Sequence, residues 1–407
     1  MQLSRKINIL CFILSCMVFL TGCTTAETPS VSSPSSKNDM ISSTVTSTQE
    51  QPPKVKTEEE LRLERIIEDM KDMTLEQKVG QLFIVQPEAL TQERGYVTKC
   101  SEDILENIKK YQPGGIILFG GNVVDPAQLS ALTESFGMIE GIPLFISIDE
   151  EGGRVARIGQ NENFDVHTYT SMENVGKSND PIAAYEVGNT IGNYLNKYGF
   201  NLDFAPVADV NTNPKNRVIG NRAFGSDPLL VSDMVGSAID GFHSQNIMTT
   251  LKHFPGHGDT KGDTHKDYVS VTKTWEELLS SELIPFISNL KKTDMIMAAH
   301  VTAVKVTSDN LPCSLSYEML TGRLREELGY KGVIITDSLS MGAIKKNYTS
   351  AEASLTAFKA GADILLMPQD LEESYNAILN AVKSGEISEE RLDQSVQRIL
   401  VLKDKYL

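Results

Sequence analysis

Eight short, nearly uninterrupted apolar runs recur along the chain, separated by helix-length amphipathic stretches. The runs are QLFIVQ (81–86), GGIILFG (114–120), PLFISID (143–149), LDFAPVADV (202–210), IMTTLKH (247–253), DMIMAAH (294–300), GVIITD (332–337) and ADILLM (362–367). A strand with one wet face alternates apolar and polar residues. A run without that alternation is buried on both faces, as in a parallel sheet. Parallel neighbours need crossover connections, and the amphipathic stretches supply them as βαβ units. Eight such units predict a closed α/β barrel of the (β/α)8 TIM type over residues 57–407, a single domain with extra length in its loops. An open doubly wound sheet is the alternative, but no dinucleotide fingerprint follows a strand and no GxxxxGK[ST] loop occurs. Thr57 with Glu60 and Thr74 with Gln77 have capping-box spacing, and Ser388 is placed to open a last helix.

The segment before residue 57 is of another kind. Arg5 and Lys6 precede the apolar run Ile9–Leu20, which is short for a membrane span of about 20 residues and reads as a secretory signal. Leu20–Cys23 reads LTGC and resembles a bacterial lipobox. That resemblance implies removal of residues 1–22, lipidation of Cys23, and a mature protein exported and held on the outer face of the cytoplasmic membrane. Residues 23–56 are rich in Ser, Thr, Pro and Gln and predict a disordered tether. Such a coil spans roughly 30 Å. Cys100 and Cys313 are then the cysteines left in the body, too few for a disulfide framework, and read as unpaired thiols. A formal net charge of -16 makes the chain a poor candidate for binding nucleic acid, since phosphate affinity comes from Lys and Arg.

In a (β/α)8 barrel the chemistry sits at the C-terminal ends of the strands. Here run three ends in Asp149, followed by Glu150, Glu151, Arg154 and Arg157. Run four ends near Asp209, run five in Lys252 and His253, run six in His300 and run seven in Asp337. Polar groups at five consecutive strand ends predict a polar pocket for a hydroxyl-rich ligand. The stretch KHFPGHGDTKGDTH (252–265) adds three of the chain's six histidines on a glycine-rich loop that is free to swing.

These segments resemble the family 3 glycoside hydrolases that act as β-N-acetylglucosaminidases. The likeness is carried by the 252–265 loop and by MTLEQKVGQLF (73–83), IDEEGGRVAR (148–157), LDFAPVADV (202–210), IGNRAFGSDP (219–228) and ITDSLSMGAI (335–344), in family order over essentially all of 57–407. It implies a single catalytic domain in which Asp337 is the nucleophile and Asp263 with His265 forms a dyad, His265 being the general acid/base. It places Asp149, Arg157, Arg222, Lys252 and His253 on the sugar. Ser338 and Thr264 depart from the pattern, which has Asp and Ser there. The implied reaction is retaining removal of terminal non-reducing N-acetylglucosamine through a glycosyl-Asp intermediate, with cell-wall muropeptides or related glycans as partners, no metal or organic cofactor, and a monomer. Some relatives with a His acid/base transfer the sugar to phosphate instead, so phosphorolysis stays open.

The chemistry agrees with those roles. A retaining glycosidase needs a carboxylate nucleophile and a proton donor for the leaving oxygen. A histidine serves as donor near neutral pH because its ordinary pKa is about 6.5. An adjacent Asp orients the ring and favours its charged form. Glu150 and Glu151 are alternative acids, though with Arg154 they read as the brace of the strand-three loop. His257 and Asp259 read as loop braces, and His167 and His243 carry no assigned role. A metal is disfavoured because H-x3-H-x7-H on a glycine-rich loop lacks the paired ligands of a helical site. A sugar-binding lipoprotein would need neither Asp337 nor the dyad.

The compositional break at residue 57 makes a first prediction. Cys23→Ala releases the protein from the membrane while leaving the body folded and active, as fractionation and activity assay will read. A variant still membrane-bound would remove the lipid from Cys23.

Overall fold

Each apolar run forms a strand in the computed structural model, which describes residues 56–260 and 269–407. Cys23, the leader and tether, and Asp263 and His265 lie outside the described residues. The strands are β1 Phe83–Val85, β2 Gly115–Leu118, β3 Phe145–Ile148, β4 Leu202–Asp203, β5 Met248–Phe254, β6 Met295–Ala298, β7 Val333–Thr336 and β8 Leu365–Leu366. All their residues are buried, as the missing alternation requires. Neighbours pair in parallel from β1 through β7, and β8 pairs with the other side of β1 through Phe83–Leu365 and Ile84–Leu366. The last seam is joined by a parallel bridge between Ile335 and Ile364, with the Thr336 N–H donating to the Ile364 carbonyl at 3.1 Å. The ring so formed is the (β/α)8 barrel.

Two strands are only two residues long, for local reasons. After Asp203 the fourth run meets Pro206, which has no N–H for the ladder. Pairing resumes beyond it as a bridge between Val207 and Lys252. In the eighth run Asp363 turns outward to Arg325, Arg398 and Ser395, so regular pairing begins only at Leu365.

The crossover helices explain their own starts. Asp125, Asp180 and Asp227 each cap a helix and are each followed by proline, giving Pro126–Gly137, Pro181–Lys197 and Pro228–His243. The carboxylate accepts from free N–H groups of the first turn, and proline sits where no N–H is needed. The last two of these helices approach closely at Gly188, where a Cβ would lie 2.1 Å from the Ala238 carbonyl oxygen. Capping boxes at Thr57–Glu60 and Thr74–Gln77 and the Ser388 cap all form as predicted. Cys100 and Cys313 are free thiols.

One core residue is chemically out of place. Lys403, on the helix Glu389–Tyr406, is 2% exposed; its Nζ donates to Gln81 Oε1 at 2.7 Å and sits 4.8 Å from the Phe145 ring centroid. With no carboxylate beside it among the described residues, burial pulls its pKa down to about 7. The unfolded chain therefore holds more protons than the folded one between about pH 7 and pH 10.4, and stability rises with pH across that window. Lys403→Met should stabilise the barrel at pH 7 by about 1–3 kcal/mol, since a buried cation is exchanged for an apolar group of similar volume. The advantage should shrink towards pH 10. Urea unfolding of both proteins at the two pH values checks this, and a variant less stable at pH 7 would refute it.

Candidate active site

A cavity of about 450 Å³ opens at the C-terminal ends of the strands. Asp149, Arg157, Arg222, Lys252, His253 and Asp337 all line it, so the structure brings together every sequence-predicted site residue that it describes. Ile117, Phe119, Ile219, Met341 and Met367 supply apolar walls. This mixture of a few convergent polar groups on an apolar lining suits a small ligand.

The polar side is an ion-pair lattice. Glu151 binds Arg222 through two parallel bonds, Nε–Oε2 at 2.7 Å and Nη2–Oε1 at 2.6 Å. Its Oε1 also meets Lys252 Nζ at 2.6 Å. Lys252 reaches across to Asp149 Oδ1 at 2.7 Å, and Arg157 approaches Asp149 Oδ2 at 3.6 Å. Side-chain exposure rises from 1% at Glu151 and 3% at Lys252 to 18% at Asp149 and 29% at Arg157. The lattice is therefore sealed at its root, and the oxygens of Asp149 remain accessible to a ligand. Burial alone would push the Glu151 carboxyl up, but Arg222 and Lys252 hold it far below the ordinary carboxylate range. Burial likewise opposes the Lys252 charge, and Asp149 with Glu151 more than restores it.

His253 follows Lys252 on β5, across a peptide bond that is cis. Its Nδ1 lies 2.6 Å from Asp209 Oδ2, and an Arg222 N–H points at its Nε2, 3.2 Å away. Asp209 also accepts the His257 N–H at 2.6 Å. The sequence marks Asp209 as a strand-end group, and the geometry makes it the anchor of His253. His257 Nδ1 meets Thr260 Oγ1 at 2.8 Å, which agrees with a bracing role, while the Asp259 carboxylate accepts from the Thr212 hydroxyl at 3.4 Å.

Asp337 stands directly after β7, its N–H donating to the Ala298 carbonyl at 2.9 Å. The Ser338 N–H donates to Asp337 Oδ1 at 2.8 Å, and the Ser338 carbonyl accepts from His300 Nε2 at 2.8 Å. His300 is fixed on its other side by Ser314 Oγ, 2.7 Å from Nδ1. Burial raises the Asp337 pKa, but His300, His253, the Ser338 N–H and Lys252 together hold it below the ordinary range. The carboxylate is thus ionised at neutral pH at the end of a rigid strand.

The acidic pair after β3 divides: Glu150 braces the strand-three loop as expected, and Glu151 does not. Glu150 turns away from the cavity and accepts the backbone N–H groups of Arg157, Ile158 and Gly159 together with the Tyr194 hydroxyl. Glu151 faces in. Arg154 joins neither; its guanidinium donates to the carbonyls of Arg217, Val218 and Ile219 on the next loop. Alternation along an extended segment carries the missed signal, since Asp149 and Glu151 at i and i+2 share a face and Glu150 takes the other. Glu151 is too strongly paired, and Glu150 too far turned, to replace a histidine as proton donor. His243, without a role in the sequence reading, pairs with Asp294 at 2.7 Å at the opposite end of the barrel. Among the described residues no group of three or more His, Cys, Asp or Glu is arranged to hold a metal.

The features define a (β/α)8 barrel protein with an ionised carboxylate facing a sugar-sized polar pocket. Residues 74–402 match the Glycosyl hydrolase family 3 N terminal domain, and the chain belongs to that family. Beta-hexosaminidase A of Pseudoalteromonas piscicida is 35% identical over 77% of this chain and 56% of its own length. Beta-hexosaminidase LpqI of Mycobacterium tuberculosis is 31% identical over 73% of this chain and 77% of its own. A family 3 β-N-acetylglucosaminidase structure from Paenibacillus sp. str. FPU-7 superposes with a TM-score of 0.77 at 39% identity, covering 82% of this chain and 63% of that one. The chain thus spans less than two thirds of the Pseudoalteromonas and Paenibacillus proteins.

The lattice predicts its own weak point. Glu151→Ala leaves Arg222 and Lys252 buried with one shared partner removed, which costs about 3–5 kcal/mol of stability. Glu151→Gln keeps the shape but not the charge and should lose less. Denaturant unfolding checks this, and an unaltered midpoint for both variants would show that the pairs contribute nothing.

Proposed function

We propose that the protein is a retaining exo-β-N-acetylglucosaminidase, exported and lipid-anchored through Cys23, with residues 57–407 as its catalytic domain. The observation that carries this reading is Asp337: an ionised carboxylate on a rigid strand end, facing a cavity whose other wall presents Asp149, Arg157 and Lys252. Support comes also from relatives named beta-hexosaminidase and from the neighbour described as a β-N-acetylglucosaminidase.

In this mechanism Asp149, Arg157, Arg222, Lys252 and His253 hold the hydroxyls and set the anomeric carbon in line with Asp337. An Asp337 oxygen attacks that carbon, and the glycosidic oxygen leaves with the proton of His265, giving a covalent glycosyl-Asp337. His265, now neutral, takes a proton from water. The hydroxide so formed attacks the same carbon, releases Asp337 and gives the sugar with retained configuration. Asp263 orients His265 and favours its charged form. The dyad rests on sequence resemblance alone, its residues lying outside the described ones. Export on a short tether directs the enzyme to fragments at the cell surface, and we assign muropeptides carrying a terminal N-acetylglucosamine as substrates. Product analysis on a defined N-acetylglucosaminyl–N-acetylmuramyl fragment tests that assignment.

Nucleophile and acid must fail differently, because a general acid matters in proportion to the leaving group's need for a proton. His265→Ala should lose about 10²–10⁴-fold on a sugar aglycone. Its glycosylation step should be nearly unaffected on a dinitrophenyl glycoside, and azide, which needs no base, should accelerate turnover and yield a β-glycosyl azide. Asp263→Ala should show a weaker version. Asp337→Ala should be inactive on every substrate. Uniform loss across an aryl series in His265→Ala would remove that residue from the acid role.

A further inference from the structure

Tyr96, in the loop after β1, is 70% exposed, an unusual position for a tyrosine. Its ring does not hang free. A Cβ built on Gly121, in the loop after β2, would lie 2.3 Å from Cγ and Cδ1 of the ring, so the ring rests flat against the Gly121 backbone where only glycine leaves room. The loop that carries it is clamped from below. Glu88 Oε1 accepts the Val97 N–H at 2.8 Å and an Asn122 Nδ2–H at 2.6 Å, while Asn122 Nδ2 also donates to the Val97 carbonyl at 3.0 Å. Asn122 is fully buried. One face of the ring is therefore seated and the other is open to solvent.

The glycine that seats the ring lies close along the chain to the pocket wall. Phe119, which lines the cavity, is two residues before Gly121, a span of at most about 7 Å of chain. The Arg157 guanidinium stacks over the Phe119 ring with its carbon 5.2 Å from the centroid, which ties this rim to the Asp149 side of the site. A pyranose presents a flat face of C–H groups that packs on an aromatic ring. A rigid ring with one free face, seated on a residue two positions from the pocket-lining Phe119, has the properties of a stacking platform.

We infer that Tyr96, seated on Gly121, forms an outer subsite that stacks the pyranose ring next to the one held in the pocket, and so makes the enzyme favour oligosaccharides over simple glycosides. This rests on the proposed glycosidase reading and adds a specificity residue to it. The test compares a β-1,4-linked N-acetylglucosamine trisaccharide with 4-nitrophenyl β-N-acetylglucosaminide. In Tyr96→Ala the ratio of kcat/KM for the trisaccharide to that for the aryl glycoside should fall about tenfold, mostly through KM, as expected for loss of an aromatic stacking contact. Tyr96→Phe should keep the ratio, since stacking needs the ring and not the hydroxyl. Gly121→Ala, which displaces the ring without touching Tyr96, should reproduce the alanine effect. An unchanged ratio in Tyr96→Ala, or equal losses on both substrates, overturns the platform. A wild-type protein inactive on both substrates would instead overturn the glycosidase reading itself, and the subsite with it.

Discussion

The site depends on one buried carboxylate. Glu151, almost without solvent contact, is shared between Arg222 and Lys252, and without it two cations would stand in a pocket with little water to solvate them. Pairing makes their burial tolerable and fixes their directions. Lys252 is then free to reach across to Asp149, and Arg222 to point at His253. The groups nearest the mouth are thus oriented by a group that a ligand hardly touches. Such a lattice costs desolvation, and its return is geometric: donors and acceptors stand in place before a ligand arrives.

The barrel supplies the rest of the rigidity. Asp337, His300 and Asp149 stand at or just beyond strand ends, where the parallel ladder fixes the backbone and burial lowers the dielectric. In that setting small polar contacts have large effects. The Ser338 N–H and the neighbouring histidines outweigh the burial that would otherwise protonate Asp337. His300 acts on the carboxylate by its charge and also holds the Ser338 carbonyl. The same low dielectric explains Lys403, where no carboxylate among the described residues compensates and the ammonium loses its proton near neutrality.

Much of this was legible in the sequence because it is written in short-range patterns. Continuous apolar runs gave the parallel strands, and the residue closing each run gave Asp149, Lys252, His253 and Asp337. The strand lengths were less legible. Pro206 and the outward-turned Asp363 cut two runs short, the first through a missing donor and the second through a partner distant in sequence. Of the acidic pair, Glu150 braces its loop as the sequence predicts, whereas the inward facing of Glu151 was less legible. Which way Glu150 and Glu151 point depends on the Arg157–Gly159 backbone and on Arg222, and neither is local. Arg154 was paired with its sequence neighbours when its carbonyl partners lie on another loop. Tyr96 has no signal at all in one sequence, since its seat, Gly121, is recognisable only in three dimensions.

The opposite facing of Glu150 and Glu151 makes the segment after β3 behave like a reading frame. Its side chains alternate, so a shift of one residue would exchange the two faces. Glu150 would then enter the cavity, Glu151 would meet the Arg157–Gly159 backbone, and Arg222 and Lys252 would lose their common partner without any change in composition. Substitutions here act one residue at a time, whereas an insertion or deletion rewires the whole lattice. The length of this segment is therefore as binding a constraint on the site as the identity of any residue in it.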